Sequence, residues 1–176
     1  MLFWHVGGTI AFIRYAFRDE AMDLRFLAFG AILPDLIDTP IGLALWSSFR
    51  SVRLASHTIL FATVLLVLVM VATRRGRPRK RWMPLAIGVL IHLVLDGMWR
   101  SPETLWWPFL GWDFDATSYQ TALAYLEWLL TDVRTWGLEA VGLVYLAVLA
   151  RRSHLGDPDA RQTLIRTGRV SARIGR

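Results

Sequence analysis

The sequence predicts an all-α, integral membrane bundle of about five helices with an aromatic loop at the membrane interface. Three observations carry that expectation. Hydrophobic residues make up 55% of the 176-residue chain, and the mean hydropathy of +0.40 lies well above that of a typical soluble domain. The nine tryptophans fit rings seated at membrane–water boundaries. The basic residues gather beside apolar segments, in "RRGRPRKR" and in the tail from Arg151 onward, as they do at the cytoplasmic ends of membrane helices. This clustering accounts for the formal charge of +6 and argues against a nucleic-acid partner. Residues 1–150 read as one membrane-embedded domain and residues 151–176 as a flexible basic tail. No cleavable signal peptide is expected from the opening "MLFWHVGG", which lacks a basic n-region.

The elements follow in order. Residues 2–17 and 24–37 are apolar but short, and Gly7, Gly8 and Gly30 suggest that they pack as a tight helical hairpin. "TPIGLALWSS" is expected to lie along the interface. "LASHTILFATVLLVLVMVAT", residues 54–73, is long enough to cross about 30 Å of hydrocarbon. Residues 82–99 form a fourth segment with a tryptophan at each end, and residues 136–150 a fifth that contains Glu139. Between these two, residues 101–132 are rich in Trp, Pro and Asp and read as a long loop that caps or lines a site.

Counting Lys and Arg sets the orientation. With the N-terminus outside and five crossings, 16 of the 20 basic residues fall on the inner side. The C-terminus is then cytoplasmic. On that topology His5, Asp35, Asp38, His57, His92 and Asp96 all fall in the outer half of the bundle, with Glu139 in the same layer. His92 and Asp96, four residues apart, share one helix face. Ionisable groups are costly in hydrocarbon unless paired, so six in one layer point to a metal or to a proton or ion pathway. Helical bundles build metal sites from inward-facing carboxylates and histidines at such spacings. The absence of cysteine leaves only N and O ligands, which suits Zn, Mn or Fe.

"GAILPDLID", "RLASHTIL" and "HLVLDGMW…LWWPF", after the early His5, resemble the YdjM-like family of predicted membrane-bound metal-dependent hydrolases. The resemblance runs from about His5 to Phe114. That family is in turn similar to zinc-dependent phospholipase C enzymes. The resemblance implies His5, Asp35, Asp38, His57, His92 and Asp96 as ligands of one to three divalent ions, zinc foremost. The chain departs from the phospholipases in having no later H-x-x-x-E segment, so Glu103 and Glu139 are the only further acidic candidates.

The expected function is hydrolysis of a phosphoester in a lipid or lipid-linked substrate by a metal-activated water. Asp35 is expected to bridge metals, and Asp38 to act as ligand or general base. Arg53 and Arg100 are expected to hold the phosphate, and the loop around Trp106 and Trp107 to admit a headgroup. The setting would be a bacterial or archaeal cell membrane, with the site toward the outer side and anionic lipid headgroups against the basic segments. The alternatives are a non-enzymatic membrane protein with a structural metal site and an ion or proton relay.

Overall fold

The computed structural model describes residues 1–18 and 22–171, and among these every regular element is helical. Five longer helices, alternating in direction, build the bundle: α1 (Leu2–Phe12, continued by a π-helical turn to Phe17), α2 (Leu24–Ala44), α4 (Ile59–Ala72), α5 (Arg77–Leu95) and α8 (Val133–Arg152). The shorter α3 (Trp46–Phe49), α6 (Pro102–Leu105) and α7 (Ala122–Thr131) cluster at one end, and α9 (Pro158–Thr167) lies at the other.

The centre is the parallel pair α2 and α5. A Cβ on Gly30 would stand 2.1 Å from the Leu85 carbonyl oxygen, and one on Gly88 would stand 2.5 Å from that of Leu27. Only glycine allows backbones this close. The Phe26 and Trp82 rings meet at 4.6 Å on the same seam, one turn nearer the start of both helices. The apolar core lies on both flanks of α5. Ile91 packs with Ile10, Ile13, Leu24, Leu27 and Leu149 on one side, while Val89 and Leu93 pack with Ala62 and Met98 on the other. Gly7 and Gly142 bring α1 and α8 together in the same way.

Several segments differ from the sequence expectation, each for a physical reason. The first helix of the hairpin gives way to a π turn at Ile13, and the second runs on to Ala44 through Pro34 and Pro40. Proline's fixed φ is helical, and the final turn of α2 is braced where Gly42 lies against the Ser51–Val52 backbone. "TPIGLALWSS" is therefore mostly the end of α2, with α3 following. The third apolar segment does not become helical until Ile59. Ala55–His57 form a 3-10 turn, because the backbone N–H groups of Leu54, Ser56 and His57 all donate to the Asp38 carboxylate. Thr58 then caps α4 by accepting from the Phe61 N–H. The long loop contains the ten-residue α7, capped by Thr121, and is tied back through Thr117 to the Arg50 carbonyl. The tail expected to be flexible carries α9, whose start is capped by Asp157 and whose following Gly168 accepts the Leu24 N–H at 2.7 Å. Its last five residues, 172–176, lie outside the described residues.

The number of spans is also corrected. Among the described residues two helices, α2 and α8, are long and apolar enough to cross a membrane, not five. The 14 residues of α4 extend about 21 Å, short of the roughly 30 Å of a hydrocarbon core.

Replacing Gly30 with alanine drives a methyl into the Leu85 carbonyl and is expected to cost about 1–3 kcal/mol, read as a lower thermal midpoint. Gly137→Ala, whose added methyl meets nothing, is the matched control and should leave the midpoint unchanged or raise it slightly.

Candidate metal centre

The α2–α5 seam delivers one of the cluster's three histidines directly. His92 lies on α5 where it passes α2, and its Nδ1–H donates to the Ala31 carbonyl at 2.7 Å. A carbonyl can only accept, so the proton is on Nδ1 and the neutral ring's free lone pair is on Nε2. His57 follows the same rule from the turn before α4, its Nδ1–H donating to Asp38 Oδ2 at 2.7 Å. His5, on the first turns of α1, directs Nδ1–H to the Met1 carbonyl. All three rings are fully buried.

Each histidine is thus pinned on one nitrogen and turns the other inward. His92 Nε2 and His57 Nε2 face each other at 3.2 Å. His5 Nε2 lies 2.9 Å from Asp96 Oδ1. Lone pairs brought this close repel, and only a positive charge between them, a proton or a metal ion, makes the approach favourable. The carboxylates close the ring. Asp35 Oδ1 is 3.4 Å from His57 Nε2 and 3.9 Å from His92 Nε2, while Asp96 Oδ2 is 3.8 Å from His57 Nε2. Two overlapping sets, His5/His92/Asp96 and Asp35/His57/His92, could each hold a metal ion. These buried His/Asp clusters are compatible with a metal-binding site. The carboxylates of Asp35, Asp38 and Asp96 outnumber the nearby cationic groups, the Arg53 guanidinium 2.9 Å from Asp96 and the Met1 nitrogen 3.1 Å from Asp35.

Asp38 stands one layer out. It is buried, and its two oxygens take the three loop N–H groups and His57 Nδ1–H. Its place is behind a ligand-type histidine, the arrangement by which carboxylates orient metal-binding imidazoles. Glu139 also lies outside the cluster; its Oε2 accepts the Phe3 N–H at 2.8 Å, satisfying an open donor at the start of the helix that carries His5. Arg100 and Glu103 are exposed, and no described contact joins either to the histidines. Trp106 and Trp107 sit beyond them; Trp107 packs on Phe114 and Trp112.

A cavity of about 450 Å³ opens onto Asp35, Arg53 and Asp96, its wall completed by Tyr125, Trp128 and Leu129 of α7. Burial raises the Tyr125 phenol above its ordinary range; Arg53 opposes the rise and Asp35 and Asp96 add to it. The hydroxyl therefore stays protonated and available as a donor. Sequence reasoning missed α7 and Tyr125. The available signal was Thr121, a capping residue before the apolar run "ALAYLEWLL".

A family model described as YdjM inner membrane protein matches residues 3–157. No curated protein and no solved structure matches the chain. The family match covers most of the chain and takes in every histidine and aspartate of the cluster, so the chain belongs to the YdjM inner membrane protein family.

Proposed function

We propose that the protein is a membrane-bound, metal-dependent hydrolase acting on a phosphoester of a lipid or lipid-linked molecule. The observation that carries the reading is the convergence of three buried imidazoles, each with Nδ1 committed and Nε2 directed at a carboxylate or at another Nε2. Ligands around a tetrahedral zinc, with bonds of about 2.0–2.1 Å, stand roughly 3.3 Å apart. The separations within Asp35, His57 and His92, at 3.2, 3.4 and 3.9 Å, fit that scale. His92 has one free nitrogen and can serve one ion at a time. Asp35, His57 and His92 would hold the first ion, leaving His5 and Asp96 to complete its shell or to hold a second.

A divalent ion there would supply Lewis acidity and a water ionised near neutral pH. The remaining chemistry belongs to the chain. Asp35 faces both the histidines and the cavity, so it is the carboxylate placed to take a proton from water. Asp38, with its oxygens fully engaged, positions His57. Arg53 reaches from Asp96 to the cavity wall and would neutralise a phosphoryl oxygen, with Tyr125 donating beside it. Leu36, Leu126, Trp128 and Leu129 give the rest of the wall an apolar character suited to a lipid.

The membrane setting is supported by the family, by two helices of spanning length, and by outward apolar faces such as Val67, Leu68 and Val71 on α4 and Val141, Val144 and Val148 on α8. The basic blocks lie at the opposite end from the histidines, which supports a site facing the outer side. A relay across the bilayer is disfavoured, since α4 carries no ionisable group along its length.

Detergent-purified protein is expected to hold stoichiometric divalent metal by elemental analysis, falling to background in a His57→Ala/His92→Ala variant; background metal in both would end this reading. Asp38→Asn should keep the ligands yet weaken metal affinity by about 10–100-fold in a chelator competition. Arg53→Ala should retain the metal while turnover of a phosphoester lipid drops about 10–100-fold. Metal-loaded protein without turnover on a phospholipid and lipid-phosphate panel would leave a structural metal site in place of an enzyme.

A further inference from the structure

The end of the bundle opposite the histidines holds a second built feature, and what it binds does not depend on the metal reading. An open cavity of about 880 Å³ lies between the start of α2, the α4–α5 turn with the first turns of α5, and the residues around the end of α9. Seven of its thirteen lining residues are Arg or Lys, and Asp23 is the one acid. Asp23 is already held by Arg25, whose Nη2 donates at 2.6 Å. Arg79 is spent on structure, donating to the Met70 and Thr73 carbonyls at the end of α4. Arg75, Lys80 and Arg166 are exposed, and no described ion pair includes them.

Basic residues that served only to set orientation would splay into water, where like charges separate most. Here the chain does the opposite. After α8 it turns back, and α9 lies across the end of the bundle, bringing Arg166 and Arg169 to the cavity that the α4–α5 turn has already made cationic. Three contacts fix that return. The Leu24 N–H donates to the Gly168 carbonyl, Arg25 Nη1 donates to the Ile165 carbonyl, and Gly168, at φ +71°, packs so tightly on Asp23 that a Cβ would stand 1.8 Å from its Oδ1. Gathering the exposed cations of Arg75, Lys80 and Arg166 around one cavity is unfavourable without an anion to fill it.

We propose that this cavity binds a phosphate-bearing anion, and that its occupant is the headgroup of an anionic phospholipid. The surroundings favour a lipid over a soluble phosphate. Met22, Met83 and Pro84 line the same cavity. Trp82, partly exposed and packed on Phe26 beneath the Arg81 guanidinium, stands next to it as interfacial aromatics do. The outward apolar face of α4, through Leu68 and Val71, ends just before Arg75 and offers a track for an acyl chain. Basic pockets between membrane helices on the cytoplasmic side take headgroups in this manner.

The test uses the full chain in nanodiscs of phosphatidylcholine alone or with 20% phosphatidylglycerol or cardiolipin, with lipid retention on extraction read by native mass spectrometry. Anionic lipid should be retained in preference to phosphatidylcholine. A Lys80→Gln/Arg166→Gln variant should lose about ten-fold in retention, while Arg152→Gln/Arg161→Gln, the same change in charge at the same end but off the cavity, should lose little. Inorganic pyrophosphate is the second arm. Weak competition by pyrophosphate supports the lipid headgroup, whereas pyrophosphate binding tightly with no preference among lipids overturns the lipid assignment. Equal losses in the two double variants, or no anion retained by either route, overturn the site itself. Metal content and turnover should be unchanged in Lys80→Gln/Arg166→Gln, so failure here is separable from failure of the hydrolase reading.

Discussion

The Asp38 carboxylate is the constraint from which the site is built. A buried carboxylate must be matched by donors, and α2 offers it none in this layer. It draws them from the chain after α3, taking the N–H groups of Leu54, Ser56 and His57 together with the His57 ring. Those residues cannot then join the α-helix, so α4 begins late and the preceding segment folds against α2. Ser56 reinforces the fold by donating its hydroxyl to the Pro34 carbonyl at 3.0 Å. One acid thereby shortens a helix, closes a loop and aims an imidazole.

The same logic recurs at the other two histidines with backbone acceptors. His92 is oriented by the Ala31 carbonyl and His5 by that of Met1. An imidazole fixed on Nδ1 has its free lone pair on Nε2, and three such rings set by different helices present that atom to one small volume. Stacking of His5 on His92 at 4.1 Å holds the rings in register. The arrangement depends on the helices standing at the right separation, which the Gly30–Gly88 and Gly7–Gly142 approaches provide. Small residues far from the histidines therefore matter as much as their immediate neighbours.

The bundle is polarised along its axis. The candidate metal-centre carboxylates and histidines gather at one end beneath α7, and the basic cluster that includes Arg25, Arg79 and Arg166 gathers at the other beside α9. The α2 and α5 helices carry both signs, Arg25 and Asp35 on one, Lys80 and His92 on the other. At about 1.5 Å per residue, ten or twelve residues of helix separate the two ends by some 15–18 Å. The two sites can therefore be altered independently, although both are anchored to the same pair of helices.

The sequence by itself determined the helical class and the approximate place of each main segment, because apolar runs are local properties that the chain keeps wherever it folds. It also singled out His5, Asp35, Asp38, His57, His92 and Asp96 as groups in one layer, since embedded ionisable residues at one depth are costly alone. It could not separate Asp38 from Asp35, three residues away. That difference lies in which of the two meets backbone donors sixteen to nineteen residues later, and only packing settles it. Nor could it show that Arg53 reaches the cluster while Arg100 does not, for both sit at helix ends with similar neighbours. The third apolar segment falls short of a span because hydropathy does not register backbone N–H groups drawn away by a distant carboxylate. The roof formed by α7 and the return of α9 were decided by tertiary structure as well, through Thr117 on Arg50 and Gly168 against Asp23, contacts between residues far apart in the chain.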